Sequence, residues 1–518
     1  MKRFLNAPYH FIFFASYPIL ILFAINISEI RQTDIWRPLI LVIILAIIGF
    51  TIGLLIGRNS HKSALIISIL LIAFFSFGHL HGWLRSLPQI GLVVGRFRYL
   101  VIIYSFLVLI FCAWIIFHAK DIEPITGIMN FIGLLLIVFP LISITTYYFR
   151  QSEIRNPDRH SEKHIVNGLK TNQLPDVYFI VLDAYDRQDV LLTEFGYDNS
   201  NFIDGLKNLG FYVANCSRSN YQGTLNSFSS TLNMEYIQTL GKVRSNPTTG
   251  FRDTLIQKIK QSKVIENFKS MGYKLVAFDT GVPWTSLSNA DEYLENTPDP
   301  LFEKTLRPFE ALILQKSAAI IMAGGQSEVF NEFIPQEYSE FSYHTTRIKN
   351  ILKNLPIISN QAGPKIVFVH LVKPHFPYIF APDGTMLQDT NYFSGEYGKG
   401  ITDKYSREGY ILQVEFVNNQ MLPILADIIK KSKNPPIIIL EGDHGYKSDE
   451  FSNLEAYFVP SLAKDSLYPS ITPVNSFRLI FNNIFGMGYP LLPDISYYAM
   501  CKDECDYRVV EESSPYCR

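Results

Sequence analysis

Charge is scarce in this chain of 518 residues: Asp, Glu, Lys and Arg make up 18%, and the net charge is −1. There is no basic excess and no basic stripe interleaved with aromatics, so nucleic acid is excluded as a partner. Cysteine is sparse too, with five in the whole chain. Histidine is absent after His444. No internal repeat or low-complexity tract occurs. What is abundant is apolar: 48% of residues are hydrophobic, and the excess lies in the first 150.

That excess is gathered into five stretches long enough to span a bilayer: Tyr9–Ile27, Pro38–Leu55, Ala64–Trp83, Tyr99–Phe117 and Ile125–Tyr147. Lys2 and Arg3 before the first resemble the start of a signal peptide. No small-residue cleavage site follows, so this span is expected to be retained. Five spans place the two chain ends on opposite sides. Lys2, Arg3, Arg58, Lys62 and Lys120 favour a cytoplasmic N-terminus, and Arg85, Arg96 and Arg98 oppose it. The balance predicts a multi-pass protein of the cytoplasmic (inner) membrane with its large C-terminal domain outside. Beyond His79 and His81, near a span end, the spans carry few ionisable residues, which weighs against a channel or transporter.

Past a polar linker at 150–173, the pattern changes. Asp176–Leu182, Phe211–Val213, Tyr273–Phe278, Ile366–Leu371 and Pro436–Gly442 read as strands. Phe202–Leu209, residues 224–238 and Gln413–Lys430 read as helices. Residues 284–345 carry no assignable pattern. The alternation predicts an α/β domain with a mostly parallel sheet over 174–495, and a Cys-containing tail over 496–518. Cys501, Cys505 and Cys517 crowd that tail; Cys216 is the other candidate partner, since Cys112 lies in a span. With no His nearby, a disulfide is favoured over a zinc site, and the partners stay open. Asn215-Cys216-Ser217 matches a glycosylation acceptor.

Several predicted strands end in chemically loaded loops. Asp183 ends the first, with Asp186 and Arg187 just beyond. Asp443-His444-Gly445 ends the last, and its Gly permits a sharp turn beside two metal-ligand types. Ser219–Thr224 leads into a helix, and Val372-Lys373-Pro374-His375-Phe376-Pro377 follows a strand. The C-terminal ends of parallel strands are where open α/β sheets bind ligands. Read locally, Asp183 could cap a helix, His375 could be a rigid-turn histidine, and His370 is expected in the core, though it could approach the site. Asp186 and Arg187 are expected at the surface or behind the site. Lys447 and Asp449 are expected as solvated charges.

Taken in order, these signals resemble the alkaline phosphatase superfamily over residues 174–480. Within it they are most similar to membrane-anchored sulfatase-like enzymes, which include lipoteichoic acid synthases and phosphoethanolamine transferases. The resemblance implies that Asp183, Asp443 and His444 hold a divalent metal together with Thr224, the nucleophile. It implies that Lys373 and His375 meet the transferring oxyanion. Ser219 is the alternative nucleophile. Residues 468–478 also look like a stretch found after the metal motif in such proteins, with Pro473 leading into the last helix.

Two departures narrow the expectation. Cys216 is followed by Ser217-Arg218-Ser219-Asn220, so the Cys/Ser-x-Pro-x-Arg signal of true sulfatases is missing. Without His after Gly445, a second metal would need Asp279, His370 or His375, and one metal is expected: manganese, magnesium, calcium or zinc. The expected activity is transfer or hydrolysis of a phosphate-linked headgroup, from a lipid donor to an envelope glycan or lipid acceptor. The alternatives are a phosphodiester or sulfate ester hydrolase using water, and a non-catalytic envelope-binding protein.

Overall fold

The computed structural model describes residues 7–27, 30, 32–86, 97–120, 122–155, 174–240, 251–295, 307–321, 340–389, 391–394, 404–446, 450–460, 464–501, 505–512 and 514–517. The chain divides into two compact units, residues 1–160 with 297–343, and residues 161–296 with 344–518. Most of the 150–173 linker, and Lys447 and Asp449, lie outside the described residues.

The first unit is helical: α1 (His10–Ile25), α2 (Trp36–Gly57), α3 (Ser60–Ser86), α4 (Phe97–Phe117) and α5 (Glu123–Arg155). By length and composition, four segments could cross a membrane: Gln32–Gly57, Ser60–Leu84, Tyr99–Phe117 and Glu123–Phe149. The expected first span is a shorter apolar helix of 16 residues. Its apolar run does not set its end: the Asn26 N–H caps it on Leu22 O and Phe23 O. α2 leaves Leu41, Ile44, Leu45, Ile48 and Leu55 exposed. Such a surface suits hydrocarbon rather than water.

The stretch 284–345, patternless in sequence, is divided between the units. Helix Pro308–Lys316 joins the helical one, where Phe309 and Ile313 pack in a core with Phe11, Ile19, Phe23 and Val42. Arg307 pairs with Asp34 at 2.5 Å, and Glu310 pairs with Arg37. These long-range contacts hold it, so local periodicity could not reveal it.

The second unit is built on a seven-stranded sheet of order β2-β7-β6-β1-β5-β3-β4. The strands are β1 (Val177–Leu182), β2 (Tyr212–Val213), β3 (Lys274–Phe278), β4 (Glu292–Leu294), β5 (Lys365–Leu371), β6 (Ile437–Gly442) and β7 (Glu455–Phe458). β1 is parallel to β5 and β6, and β3 is parallel to β4 and β5. β7 runs antiparallel to β6 and β2. β1, β5 and β6 are buried along their whole length, which is why they read as continuous apolar runs.

Helices α6 (Thr224–Asn233), α7 (Lys404–Lys431) and α8 (Pro473–Phe485) accompany the sheet. Phe228 of α6 and Phe477 of α8 meet Phe179 of β1 edge-on, tying both helices to the central strand. Pro473 starts α8, as its sequence suggests, because a first-turn residue needs no N–H donor. The tail forms a hairpin, β8 (Ser496–Cys501) with β9 (Cys505–Val510). Cys216 is bridged to Cys517, and Cys505 is also disulfide-bonded.

Candidate functional site

Strand register builds the site. Leu182 of β1 is level with Gly442 of β6 and Leu371 of β5. The next residues beyond the first pair, Asp183 and Asp443, therefore leave the sheet side by side. The glycine that matters here is Gly442 rather than Gly445, which has no left-handed φ. A Cβ on Gly442 would collide with the Tyr185 carbonyl oxygen.

Ala184 takes a left-handed φ of 59°, and its N–H donates to Asp443 Oδ1 at 3.0 Å. The His444 N–H donates to the same oxygen at 3.0 Å. Those two bonds fix the carboxylate and leave Oδ2 over. Asp443 Oδ2 and Asp183 Oδ1 are buried without a hydrogen-bond donor.

His444 completes the group. Its Nδ1 lies 2.8 Å from the Gly445 carbonyl, which can only accept, so Nδ1 carries the proton and Nε2 presents a lone pair. Nε2 stands 3.7 Å from Asp183 Oδ1 and 3.6 Å from Asp443 Oδ2. Those separations are too long for hydrogen bonds. Two ligands each about 2.1 Å from one ion stand roughly 3–4 Å apart. The orphaned buried oxygens of Asp183 and Asp443, converging with His444 Nε2, fit a divalent cation. No other such group occurs among the described residues.

Thr224 is the first residue of α6. Gly223 before it takes φ 73°, and no side chain caps the helix start. Thr224 Oγ1 lies 3.5 Å from His444 Nε2. The first-turn N–H groups of a ten-residue helix are thus left for an anion at the place where the hydroxyl meets the cluster. Ser219, the alternative nucleophile, is buried and donates its hydroxyl to Tyr221 O at 3.0 Å.

The electrostatics agree with a site made for positive charge. Burial raises the Asp443 carboxyl's pKa, and the like charge of Asp183 adds to it. Burial opposes the Asp183 carboxylate as well, but His375, His370 and His444 outweigh it and hold the group below its ordinary range. Burial lowers the His444 imidazole, while Asp443 and Asp183 pull it up further.

Lys373 is fully buried, and burial lowers its ammonium to about 7 against the pull of Asp183. Its Nζ donates to the carbonyls of His375 and Pro377 within its own loop. The His375 N–H donates to Asp183 O at 3.0 Å, which ties that loop to the end of β1.

No protein-family model matches the chain. No curated protein matches it in sequence. Among solved structures it is similar to the C-terminal periplasmic domain of EptC from Escherichia coli, at 12% identity and a TM-score of 0.41, covering 67% of this chain and 94% of that one. It is similar to the lipoteichoic acid synthase LtaP from Listeria monocytogenes at 10% identity and a TM-score of 0.36, covering 63% and 78%. It is also similar to the C-terminal periplasmic domain of the phosphoethanolamine transferase EptC from Campylobacter jejuni, at 10% identity and a TM-score of 0.34, covering 60% and 89%.

Other residues stand close behind the cluster. His370, expected in the core, is indeed buried, yet its Nε2 lies 3.3 Å from Asp183 Oδ2 while Nδ1 meets Thr285 Oγ1 at 2.8 Å. Asp186 and Arg187 are buried rather than at the surface. Asp186 accepts the Tyr446 N–H at 2.7 Å and the Tyr410 hydroxyl at 3.0 Å, steadying the turn after His444. Arg187 pairs with Asp189 at 2.6 Å and Glu512 at 3.2 Å. Asp279, a candidate for a second metal, is met by Arg347 at 3.3 Å.

His344 was not foreseen. Burial first, then Lys373, Arg347 and His375, push its imidazole well below the ordinary value, so it is neutral beside them. It lies in the stretch without periodicity, and only its residue type could have drawn notice.

The C-terminal hairpin holds the loop that carries Thr224. Tyr497 N–H donates to Asn220 O at 2.8 Å, and Ser496 Oγ to Ser219 O at 2.7 Å. Gln222 exchanges two bonds with Ala499, at 2.6 and 3.0 Å. The Cys216–Cys517 bridge begins the same loop.

Proposed function

We propose that this chain is a membrane-anchored, sulfatase-like phosphotransferase that acts on the phosphate-linked headgroup of an envelope lipid through Thr224. The observation that carries this reading is the Thr224 hydroxyl at an uncapped helix start, 3.5 Å from His444 Nε2 within a cluster of orphaned buried carboxylate oxygens. Asp183, Asp443, His444 and Thr224 would hold the metal. When bound, a divalent cation would lower the hydroxyl's pKa and offset phosphate charge.

The first-turn N–H groups of α6 orient a phosphodiester for in-line attack. Thr224 Oγ forms a bond to phosphorus as the bond from phosphorus to the diacylglycerol oxygen breaks. The hydroxyl proton leaves, and the departing oxygen gains one. The headgroup phosphate is then carried on Thr224 until an acceptor hydroxyl takes it and restores the threonine. His375 serves the oxyanion. Lys373 holds the His375 loop through its two carbonyls, a positioning role. Water as acceptor would make the same site a phosphodiesterase.

The test is mass spectrometry of the full chain after incubation with lipid carrying a labelled headgroup. A phosphate-linked adduct on Thr224, lost in Thr224→Ala, is expected. Headgroup release at the wild-type rate by Thr224→Ala would overturn the assignment.

A further inference from the structure

The helical unit contains a seat that the chemistry of the sheet domain leaves unused. Helix Pro308–Lys316 is set against α1, α2 and α3 by three devices. Arg307, 2% exposed, pairs with Asp34 at 2.5 Å. Glu310 pairs with Arg37. Gly78 of α3 has no side chain where a Cβ would stand 2.5 Å from the backbone of Lys316. Breaking a buried pair by removing one partner is strongly destabilising, so these contacts specify the position of the helix closely.

The seat is fixed but not filled. Between α1, α3, α5 and this helix lies a cavity of about 490 Å³, a size ordinary for a small-molecule site. Its walls are largely apolar, with Phe14, Ile21, Phe75, Leu136 and Ile313 among them. The lining residues able to carry positive charge are His79 and Lys316, both exposed, and no acidic side chain lines the cavity. Ser76, which also lines it, already bonds the Tyr104 hydroxyl at 2.7 Å.

Water finds few partners on such walls, and an apolar cavity stays dry or takes an apolar ligand. Within a bilayer the apolar ligand at hand is an acyl chain. The charge at the rim selects the headgroup, because a lysine can lay its stem along an apolar wall and extend its ammonium to a phosphate.

We propose that this cavity binds an anionic phospholipid of the surrounding bilayer, with one acyl chain between α1, α3 and the helix Pro308–Lys316 and its headgroup at the rim formed by Lys316 and His79. The lipid need not react. The site stands whether or not the sheet domain turns over lipid.

The test is native mass spectrometry of the delipidated full chain in neutral detergent, titrated with phosphatidylglycerol or phosphatidylcholine of matched chains. The wild type is expected to retain phosphatidylglycerol with about a fivefold preference, the effect of one basic residue near an anionic lipid. Lys316→Gln is expected to abolish that preference while still retaining lipid. Ile313→Trp, and Leu136→Trp from the opposite wall, fill the cavity and are expected to reduce retention of both lipids at least fivefold. Equal retention of the two lipids by the wild type would overturn the headgroup assignment. Undiminished retention in whichever tryptophan variant keeps its melting midpoint would overturn the cavity assignment.

Discussion

Two places along the C-terminal end of one sheet treat buried acids differently. At the end of β3, Asp279 is met by Arg347 at 3.3 Å, and the charge is answered within the chain. At the ends of β1 and β6, Asp183 and Asp443 stand side by side with orphaned oxygens, answered by imidazoles and by no lysine or arginine at ion-pair distance among the described residues. The same sheet chemistry thus gives a structural ion pair at one place and, at the other, a shortage of positive charge that a metal would relieve. A buried acid therefore indicates a site only once its partners are known. By strand pattern alone Asp183 and Asp279 are both strand-terminal aspartates, and only the resemblance sets Asp183 apart as a metal ligand.

The largest effect that could break the comparison is on turnover. Thr224→Ala is expected to lower it on the order of a thousandfold or more while metal binding survives through the remaining ligands, as measured by headgroup release beside metal content. A loss of activity and metal together would make Thr224 a ligand the metal cannot do without, rather than show it to be the nucleophile. On the Asp279 side, Arg347→Ala is expected to cost about 3–5 kcal/mol of stability by stranding a buried carboxylate, read by denaturant unfolding. Its metal content is expected to be unchanged. If Arg347→Ala loses metal, the two places are one site.

The Cys216–Cys517 bridge gives the next effect. Cys517→Ser is expected to cost about 2–4 kcal/mol, because a closure 301 residues apart constrains the unfolded chain. Since the bridge begins the Thr224 loop, turnover is expected to fall further than the metal content does. The tail could be expected to hold a disulfide from its cysteines alone. That it grips the Thr224 loop through Gln222 and Asn220 could not be read, because those bonds join residues about 275 positions apart in sequence.

The last effect is on pH. Glu441 and Glu455 face each other across β6 and β7. Burial pushes Glu455 from 4.5 up to about 8, and burial, Glu455 and Asp443 push Glu441 well above its ordinary value. The folded state keeps protons that the unfolded chain releases. That stabilisation is complete below about pH 4.5 and is lost as pH rises toward about 8. The melting midpoint is expected to drift down over that window, and Glu455→Gln is expected to flatten the drift. An equally steep drift in Glu455→Gln would assign it to other groups.

The parts of the fold that were legible share one cause. β1, β5 and β6 are buried on both faces, so their sequences read as apolar runs, broken only by Lys365, His370 and Glu441, that end at the loaded loops. Asp183, Asp443 and His444 could be named because each follows a predicted strand end and the resemblance implies a metal there; register brings the ends of β1 and β6 level. The helix Pro308–Lys316 could not, since it is held by Asp34 and Arg37 from a distant part of the chain. Lys373 shows a different limit. The resemblance implies an oxyanion partner, and no sequence signal shows that its ammonium also donates to the carbonyls of His375 and Pro377.

The central claim is that the C-terminal ends of β1 and β6 are short of a cation that this chain's residues do not supply. It is tested most directly by measuring divalent metal in the full chain purified without chelator, in the wild type and in Asp443→Asn. The account predicts about one ion per chain in the wild type and loss of most of it in the variant. Metal-free wild type, or equal metal in both, would contradict it.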